Sequence, residues 1–170
     1  MRTGEVLTYL EMLSPDDLVP ARSVKSPLTG DEITLVEQDR FSPNIRSVTL
    51  RIGEPHDWPS QGWDDDRWRQ YLDRPNLRHW IAKVDGVAAG LVSLDVDPGG
   101  NTEFDTFGLV PEHIGGGLGG HVLTMAVRLA WTLHPTNRLW LHTSSHDHPA
   151  ALPNYLRRGF IVYNPTVDQE

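Results

Sequence analysis

The stretch that decides the fold is residues 101–133, which read NTEFDTFGLV, PEHI, GGGLGG and HVLTMAVRLAWTL. The first part is rich in aromatic and β-branched side chains and ends at a proline, which is typical of a strand. In the last part, apolar side chains recur every three or four positions, as in a helix with one buried face. Five glycines occupy six positions between the two. The stretch therefore predicts a strand, a glycine loop and a helix that packs on a sheet.

The glycine loop at 115–120 predicts an anionic ligand. A helix N-terminus presents unpaired N–H groups and a partial positive charge, and consecutive N–H groups bind phosphate oxygens, so we expect a diphosphate. A flexible turn without a ligand is one alternative. A dinucleotide-binding loop is another, because Gly115, Gly117 and Gly120 satisfy G-x-G-x-x-G. In dinucleotide-binding domains the next strand ends with an acidic residue, and the next strand-like run here, RLWLHTSS, has none. No Gly-Lys-Ser/Thr of a nucleoside-triphosphate loop follows.

Two motifs in a fixed order carry the most specific signal. Residues 109–119 read LVPEHIGGGLG, and residues 155–160, about 36 positions later, read YLRRGF. The first is similar to the diphosphate loop Gln/Arg-x-x-Gly-x-Gly/Ala, and the second to the Tyr-x-x-x-Gly-Phe ending, of the GNAT superfamily of acetyl-CoA-dependent N-acetyltransferases. The likeness covers roughly residues 78–163. It implies an α/β fold with a central mixed, mostly antiparallel sheet of about six or seven strands and about four helices on both faces.

The resemblance also implies a site for acetyl-CoA as co-substrate. Pantetheine would lie along Leu109 and Val110 as though adding a strand. Ile114 departs from the glutamine or arginine usual at its position, so one side-chain contact to the diphosphate is missing. His148 stands where the family commonly has an asparagine facing the cofactor arm. The cofactor-binding residues in and beside the loop would be Ile114, Gly115, Gly116, Gly117, Leu118, Gly119 and Gly120.

Acetyl transfer to an amine requires a base for the ammonium and an acid for the departing thiolate. Tyr155 matches the family's tyrosine that protonates the sulfur of coenzyme A; a core tyrosine is the alternative. Glu103, 11 residues before Ile114, lies where one branch of the family has its catalytic glutamate, and strand alternation puts Asp105 on the same face. Such a pair can raise one pKa, as a base near neutral pH needs. A solvated face, an anchor for the ammonium and a water chain as the base are alternatives.

The reaction implied is direct transfer in a ternary complex, in which positioning supplies most of the gain. The acceptor would be a small-molecule or peptide primary amine. Trp58 and Trp63, in a loop rich in proline and glycine, either form an apolar wall for this acceptor or fill a satellite core under the loop. A non-catalytic acyl-CoA sensor on the same fold is the second hypothesis, and a nicotinamide dinucleotide-binding domain is the third.

The composition of the chain limits its partners, its covalent chemistry and its location. The chain has 170 residues and a formal net charge of −8, which argues against nucleic acid and anionic membranes as partners. The charge either favours a cationic acceptor or only keeps the surface soluble. The absence of cysteine excludes disulfides, thiolate metal sites and an acyl-cysteine intermediate. No signal-peptide pattern or run of 18 apolar residues occurs, so a cytoplasmic location is expected. A homodimer is an open expectation.

The histidines at 142, 146 and 148 match no defined zinc spacing, so no metal is predicted. We expect one acetyltransferase-like domain over residues 31–170, preceded by a lead-in arm over 1–30 that contains a short strand. The Asp85-Gly86 pair predicts a hairpin over 78–95. The glycine helix should cross over to a parallel strand. Further elements are predicted as strands at 6–12, 33–38, 138–143 and 160–163, and as helices from 65 to before Pro75 and at 149–158. Residues 42–52 are favoured as a helix, with a strand as the alternative.

Overall fold

The computed structural model describes residues 3–165; residues 1, 2 and 166–170, at the ends of the expected arm and domain, lie outside the described part. Over residues 3–165 there are seven strands and four α-helices. The strands are β1 Leu7–Met12, β2 Thr34–Gln38, β3 Leu77–Val84, β4 Val87–Val96, β5 Asn101–Leu109, β6 Arg138–Ser144 and β7 Ile161–Tyr163. The helices are α1 Pro43–Gly53, α2 Asp65–Leu72, α3 Leu118–Thr132 and α4 Ala151–Arg157.

All seven strands form a single sheet in the order β2-β3-β4-β5-β6-β1-β7. Only β5 and β6 run parallel, and the other neighbours are antiparallel. The mixed, mostly antiparallel sheet predicted from the sequence is therefore confirmed. The segment expected as a lead-in arm contributes β1, which lies between β6 and β7; Leu10 pairs with Leu141 on one side and Val162 on the other.

Local sequence explains where the elements begin and turn. Asp85 and Gly86 both have positive φ, at 54° and 76°, which suits the tight turn between β3 and β4. Ser42 caps α1 by accepting a hydrogen bond from the N–H of Asn44, and Asp64 caps α2 by accepting one from the N–H of Arg67. These caps satisfy donors that a helix start would leave unpaired, so both helices begin close to the predicted residues.

Apolar side chains cover both faces of the sheet. On one face, α3 buries Leu123, Ala126 and Val127 against residues of β4, β5 and β6. On the other face, Val48 and Ile52 of α1 pack on β3 and β4. The sheet is thus enclosed between α3 with α4 and α1 with α2. Among the described helices, none is long and apolar enough to cross a membrane.

The sheet opens between its two parallel strands. β5 pairs with β6 only over Asn101–Glu103. From there β5 continues to Leu109 with β4 as its partner and without β6. The pairing with β4 also shifts register, because Ser93 pairs with Thr106 while Leu94 pairs with Phe104. The separation of β5 from β6 creates the space in which the candidate site lies.

Candidate active site

A cavity of about 730 Å³ occupies the opening between β5 and β6. Its wall comes from the C-terminal half of β5, the glycine loop, α4, the end of α1 with the loop after it, and the N-terminal segment 20–24. This volume lies in the range of pockets that hold small molecules and cofactors. The wall therefore combines segments that are far apart in the sequence, and Asp147 and His148 after β6 also belong to it.

The glycine loop lines one end of this cavity in a conformation that requires glycine. Gly115, Gly116 and Gly117 have φ values of 106°, 63° and 79°, in the left-handed region that side chains with a Cβ rarely adopt. Gly117 directly precedes α3. Within residues 3–165, no acceptor pairs with the N–H groups of these three glycines or of Gly119 and Gly120. Five backbone donors are thus available to an anion at the N-terminus of α3.

The structure brings most of the expected cofactor residues to the cavity wall. Two are not in that wall: the Val110 and Leu118 side chains are buried in the core. The N–H group of Val110 also donates to the carbonyl oxygen of Ala89 at 2.8 Å. Neighbouring residues of β5, Phe107 and Gly108, line the cavity instead. The expected residues that line the cavity are Leu109, Ile114, Gly115, Gly116, Gly117, Gly119, Gly120 and His148.

Tyr155 of α4 also lines the cavity, although its side chain is only 7% exposed. Its ring contacts those of Phe107 and Phe160 edge-on, at centroid distances of 6.2 and 5.9 Å. In the described part of the chain, its hydroxyl has no hydrogen-bond partner. Burial and the nearby charge of Asp147 raise the pKa of the Tyr155 phenol. The hydroxyl is therefore protonated at neutral pH and free to donate.

The two carboxylates proposed from strand alternation lie on β5 and differ in their contacts. Asp105 accepts hydrogen bonds from the hydroxyl of Tyr71 at 2.5 Å and from Nη1 of Arg74 at 3.2 Å. Arg74 also pairs with Asp95. Glu103 has no such partner among the described residues. Neither Glu103 nor Asp105 is part of the cavity wall.

The pKa of Glu103 is raised to about 7. Burial is the main cause, and the charges of Asp105 and Asp95 add to it, while Arg74 opposes it. Asp105, in contrast, has an arginine and a phenol as hydrogen-bond donors. The pair therefore consists of one carboxylate fixed in a hydrogen-bond network and one that titrates near neutral pH.

A buried polar chain continues from this network under the sheet. The His79 imidazole is enclosed, and its Nδ1 lies 2.7 Å from Oγ of Ser93. Burial lowers the pKa of His79 to about 4, so the ring is neutral. The ring also lies 6.0 Å from that of Tyr71, measured between centroids. His79 and Ser93 thus support Tyr71, which in turn orients Asp105.

The two loop tryptophans lie in different places. Trp58 lines the cavity, and its Nε1 donates to Oδ1 of Asp147 at 2.9 Å. Trp63 is outside the cavity wall and packs against Trp68 and Tyr71 at centroid distances of 5.0 and 5.2 Å. Trp63 therefore has the contacts of a satellite core, and Trp58 has those of a wall residue.

Comparison with known proteins agrees with the motifs. The family model described as acetyltransferase (GNAT) family matches residues 45–160, which is more than half of the chain. The chain belongs to the GNAT acetyltransferase family. No curated protein matches this GNAT chain in sequence.

Solved structures share the fold of this GNAT chain at low sequence identity. A GCN5-related N-acetyltransferase from Kribbella flavida has a TM-score of 0.64 at 17% identity, over 94% of this chain and 56% of that one. A spermidine N-acetyltransferase chimera of Vibrio cholerae SpeG and hSSAT has a TM-score of 0.60 at 18% identity, over 78% and 82%. AAC(6')-Iy, in complex with the bisubstrate analogue CoA-S-monomethyl-acetylneamine, has a TM-score of 0.60 at 17% identity, over 81% and 96%.

The first three structures matched are longer than this GNAT chain, which spans 56%, 60% and 37% of their lengths. At identities below 20%, these likenesses establish the fold and leave the acceptor open. Within residues 3–165 of the GNAT chain, no group of three or more histidine, aspartate or glutamate side chains could hold a metal ion.

Several wall residues of this GNAT chain were not foreseen from the sequence. Arg157 and Arg158 fall inside the recognised YLRRGF motif, so their position was available, but the motif assigns no role to them. Asn154 lines the cavity and donates from Nδ2 to the carbonyl oxygen of Gly119 at 3.1 Å. The segment 20–24 had no signal at all, since only the tertiary fold brings it beside α3.

Proposed function

We propose that this chain is an N-acetyltransferase that transfers the acetyl group of acetyl-CoA directly to a primary amine in a ternary complex. The observation that carries this proposal is that one cavity joins five unpaired glycine amides at the start of α3 to the hydroxyl of Tyr155. If the diphosphate of acetyl-CoA binds these glycine amides, the pantetheine arm that carries the thioester would lie along β5. An acid for the leaving thiolate lies in the same wall.

In the proposed complex, the diphosphate binds the N–H groups of the glycine loop. The pantetheine arm lies beside Phe107, Gly108 and Leu109, where β5 has no partner on the side that faces β6. An extended amide-containing chain in this gap would replace the missing strand and satisfy backbone groups of β5. His148, at the start of the segment that leads into α4, borders the same space.

Tyr155 is proposed as the general acid. Its raised pKa keeps the phenol protonated at neutral pH, so the hydroxyl is available to donate to the sulfur as negative charge develops there. In this step the neutral amine nitrogen forms a bond to the acetyl carbon, the carbon–sulfur bond breaks, and the sulfur takes the phenolic proton. The nitrogen loses one proton as the amide forms, and a proton from the nitrogen or from solvent restores the phenol.

Glu103 is proposed as the general base and Asp105 as the residue that supports it. A carboxylate with a pKa of about 7 is half ionised at neutral pH, which suits removal of a proton from an ammonium group. Because Glu103 lies outside the cavity wall, the proton would reach it through water. Asp105, which accepts hydrogen bonds from Tyr71 and Arg74, adds an acidic side chain that favours a cationic amine nearby.

The acceptor is proposed to enter beside Trp58, whose ring forms part of the cavity wall. Apolar surface of this kind holds the carbon skeleton of an amine while the nitrogen points to the thioester. Trp63, the other candidate for this wall, is assigned to packing because its contacts are with Trp68 and Tyr71. The proposed acceptor is a primary amine, either of a small molecule or of a peptide.

Two measurements, made one after the other, test the proposal. Thermal unfolding with acetyl-CoA, coenzyme A and NADH should show stabilisation by the two coenzyme A compounds and none by NADH. A panel of polyamines, aminoglycosides, amino acids and peptides, assayed with a thiol reagent, should then release free coenzyme A with at least one class. Stabilisation by NADH alone would refute the assignment of the cavity to acetyl-CoA.

A non-catalytic acyl-CoA sensor is the second candidate, and one observation favours it. Neither carboxylate proposed for base chemistry lines the cavity, and Asp105 is fully engaged with Tyr71 and Arg74. A sensor would be stabilised by acetyl-CoA and would release no thiol with any amine of the panel. That pair of results would replace the catalytic proposal with the sensor.

A further inference from the structure

Three arginines, Arg22, Arg157 and Arg158, line the cavity without a counter-charge. Among residues 3–165, none of the three forms an ion pair. The chain as a whole has a net charge of −8, so uncompensated cations gathered in one wall run against its overall composition. The carboxylate in the described wall is Asp147, and its oxygens already accept hydrogen bonds from Trp58, Thr143 and Ser144.

Arg158 lies beside the N-terminus of α3. A Cβ placed on Gly120, in the first turn of this helix, would be 2.5 Å from Nη1 of Arg158 and 3.1 Å from Cβ of Ala21. The guanidinium therefore occupies the space that the missing side chain of Gly120 leaves. It is a full positive charge next to unpaired backbone amides that are themselves the positive end of a helix. Two positive groups so close together repel each other unless an anion lies between them.

The Arg158 side chain also has a donor without an acceptor. Its Nε is buried and has no hydrogen-bond partner among the described residues. Burial and the neighbouring charge of Arg157 lower the pKa of Arg158. A buried charged donor without a partner is costly, and a bound anion would remove that cost.

The backbone around Arg158 is fixed from the other side. Val19 donates from its N–H to the carbonyl oxygen of Arg158 at 2.8 Å. Two residues further, the N–H of Ala21 donates to Oγ1 of Thr124 on α3 at 2.9 Å. The N-terminal segment thus ties the end of α4 to the first turns of α3. This holds Arg158 in place before a ligand arrives, which lowers the entropic cost of binding.

The glycine loop itself supplies no side-chain donor. Ile114, at its start, lines the cavity with 44% of its side chain exposed. An exposed apolar residue can neither neutralise a phosphate nor donate to it. Any side-chain contact to a diphosphate at this helix must therefore come from another element, and Arg158, just after α4, is a cation that lies against the first turn.

We propose that Arg158 is the side-chain ligand of the cofactor's diphosphate and takes the place of the donor that Ile114 does not provide. The inference rests on the proposed function, because it identifies which side chain binds the diphosphate of coenzyme A. It also assigns a role to the segment 19–21, which positions Arg158.

The test compares Arg158→Gln and Arg158→Lys with Arg128→Gln, which removes the same charge from an exposed position of α3 outside the cavity. Calorimetric titration is run with coenzyme A, dephospho-coenzyme A, pantetheine and inorganic diphosphate. Arg158→Gln should weaken the binding of coenzyme A, dephospho-coenzyme A and diphosphate by about 10-fold or more, as expected for a lost hydrogen bond to a charged group. Arg158→Lys should lose less, and Arg128→Gln should match the wild type. Pantetheine, without phosphates, should be unaffected by all three.

Two results would overturn the inference. One is binding of coenzyme A by Arg158→Gln within twofold of the wild type. The other is a loss of affinity for coenzyme A without a loss of affinity for dephospho-coenzyme A, which would mean that Arg158 binds the 3′-phosphate. If Arg158→Gln does not fold, Gly120→Ala, which displaces the guanidinium without removing it, should produce the same selective loss.

The outcome for Arg158 can be separated from that for the proposed function. If the wild type binds inorganic diphosphate but no coenzyme A, the acetyltransferase proposal fails and Arg158 is still judged on diphosphate. If the wild type binds coenzyme A and Arg158→Gln binds it equally well, only the Arg158 assignment fails. If the wild type binds neither compound, both are refuted.

Discussion

Trp58 donates from its indole Nε1 to Oδ1 of Asp147 at 2.9 Å, a contact between residues 89 positions apart. The other oxygen of Asp147 accepts from the hydroxyl of Thr143 and the N–H of Ser144, both at 2.8 Å. One carboxylate therefore fixes the loop after α1 to the turn after β6. Because Trp58 and Asp147 both line the cavity, this contact joins two parts of its wall that are far apart in the sequence.

Trp58→Phe keeps an aromatic ring in the wall and removes the hydrogen bond to Asp147. The KM for the amine should rise by about 10-fold, the value of one hydrogen bond to a charged group, while the Kd for acetyl-CoA stays within twofold. Steady-state kinetics and calorimetry measure the two quantities. Trp63→Phe is the matched control: it should lower the melting temperature through the Trp68 cluster and leave the KM for the amine unchanged. Equal KM changes in both variants would remove Trp58 from the acceptor wall.

Tyr155→Phe should lower kcat by about 100-fold or more, because it removes the proposed proton donor to the thiolate. The Kd for acetyl-CoA should change by less than about twofold, since the ring and its packing against Phe107 and Phe160 remain. Stability should hardly change, because no described residue bonds the hydroxyl. A variant with full turnover would show that Tyr155 only fills the core.

Glu103→Gln should change the pH dependence of activity. The wild type, with a Glu103 pKa of about 7, should lose kcat/KM as the pH falls below 7. In Glu103→Gln the limb near pH 7 should be replaced by one at the higher pKa of the amine, so that activity is low near pH 7 and recovers in part at high pH, where more of the amine is unprotonated. An unaltered profile would leave a water chain or another group as the base.

The same substitution should stabilise the fold at high pH. The pKa of Glu103 is raised above its ordinary value of 4.5, so the folded protein prefers the protonated form. The penalty for ionising it is complete above about pH 7 and vanishes below about 4.5. Glu103→Gln should therefore raise the free energy of unfolding by about 1–3 kcal/mol at pH 8.5, and the gain should shrink as the pH falls.

Asp105→Asn is the control for this stability effect, because it should act in the opposite direction. It removes the charge that Arg74 and the hydroxyl of Tyr71 contact, and so should destabilise the protein at the same pH. Urea unfolding at several pH values measures both variants. Destabilisation by both would mean that Glu103 is held as an ionised group by contacts of its own.

Gly117→Glu should abolish binding of coenzyme A. The residue has a φ of 79° and directly precedes α3, so a glutamate would be strained and would put a negative charge where the diphosphate is proposed to bind. Gly117→Ala adds the strain, about 1 kcal/mol, without the charge and should weaken binding far less. Titration calorimetry with coenzyme A separates the two. Similar losses in both variants would assign the effect to backbone strain alone.

Much of the fold could be predicted because its signals are local. The periodicity of α3 and the Asp85-Gly86 turn each lie within a few consecutive residues, so the sequence displays them directly. The place of β1 in the sheet was not predictable in this way. Its strand propensity is local, but its partners in β6 and β7 are more than 100 residues away, and alternation of side chains does not identify a partner.

The residues of the candidate site also divide into those that short motifs predict and those that only the tertiary fold brings together. The glycine loop and Tyr155 follow from short motifs. The difference between Trp58 and Trp63 does not, because both lie in the same loop and only packing against α2 distinguishes them. Arg158 acquires its position from the contact between α4 and α3, which no single segment contains.

The place of β1 determines the order in which the molecule can be assembled during synthesis. β1 precedes the other described strands along the chain, yet it cannot enter the sheet until its partner residues 138–144 have been synthesised. Contacts across so long a span of chain form slowly. The half of the molecule that carries α4 and Tyr155 should therefore be the last to become protected against hydrogen exchange, after the meander of β2 to β5 has folded.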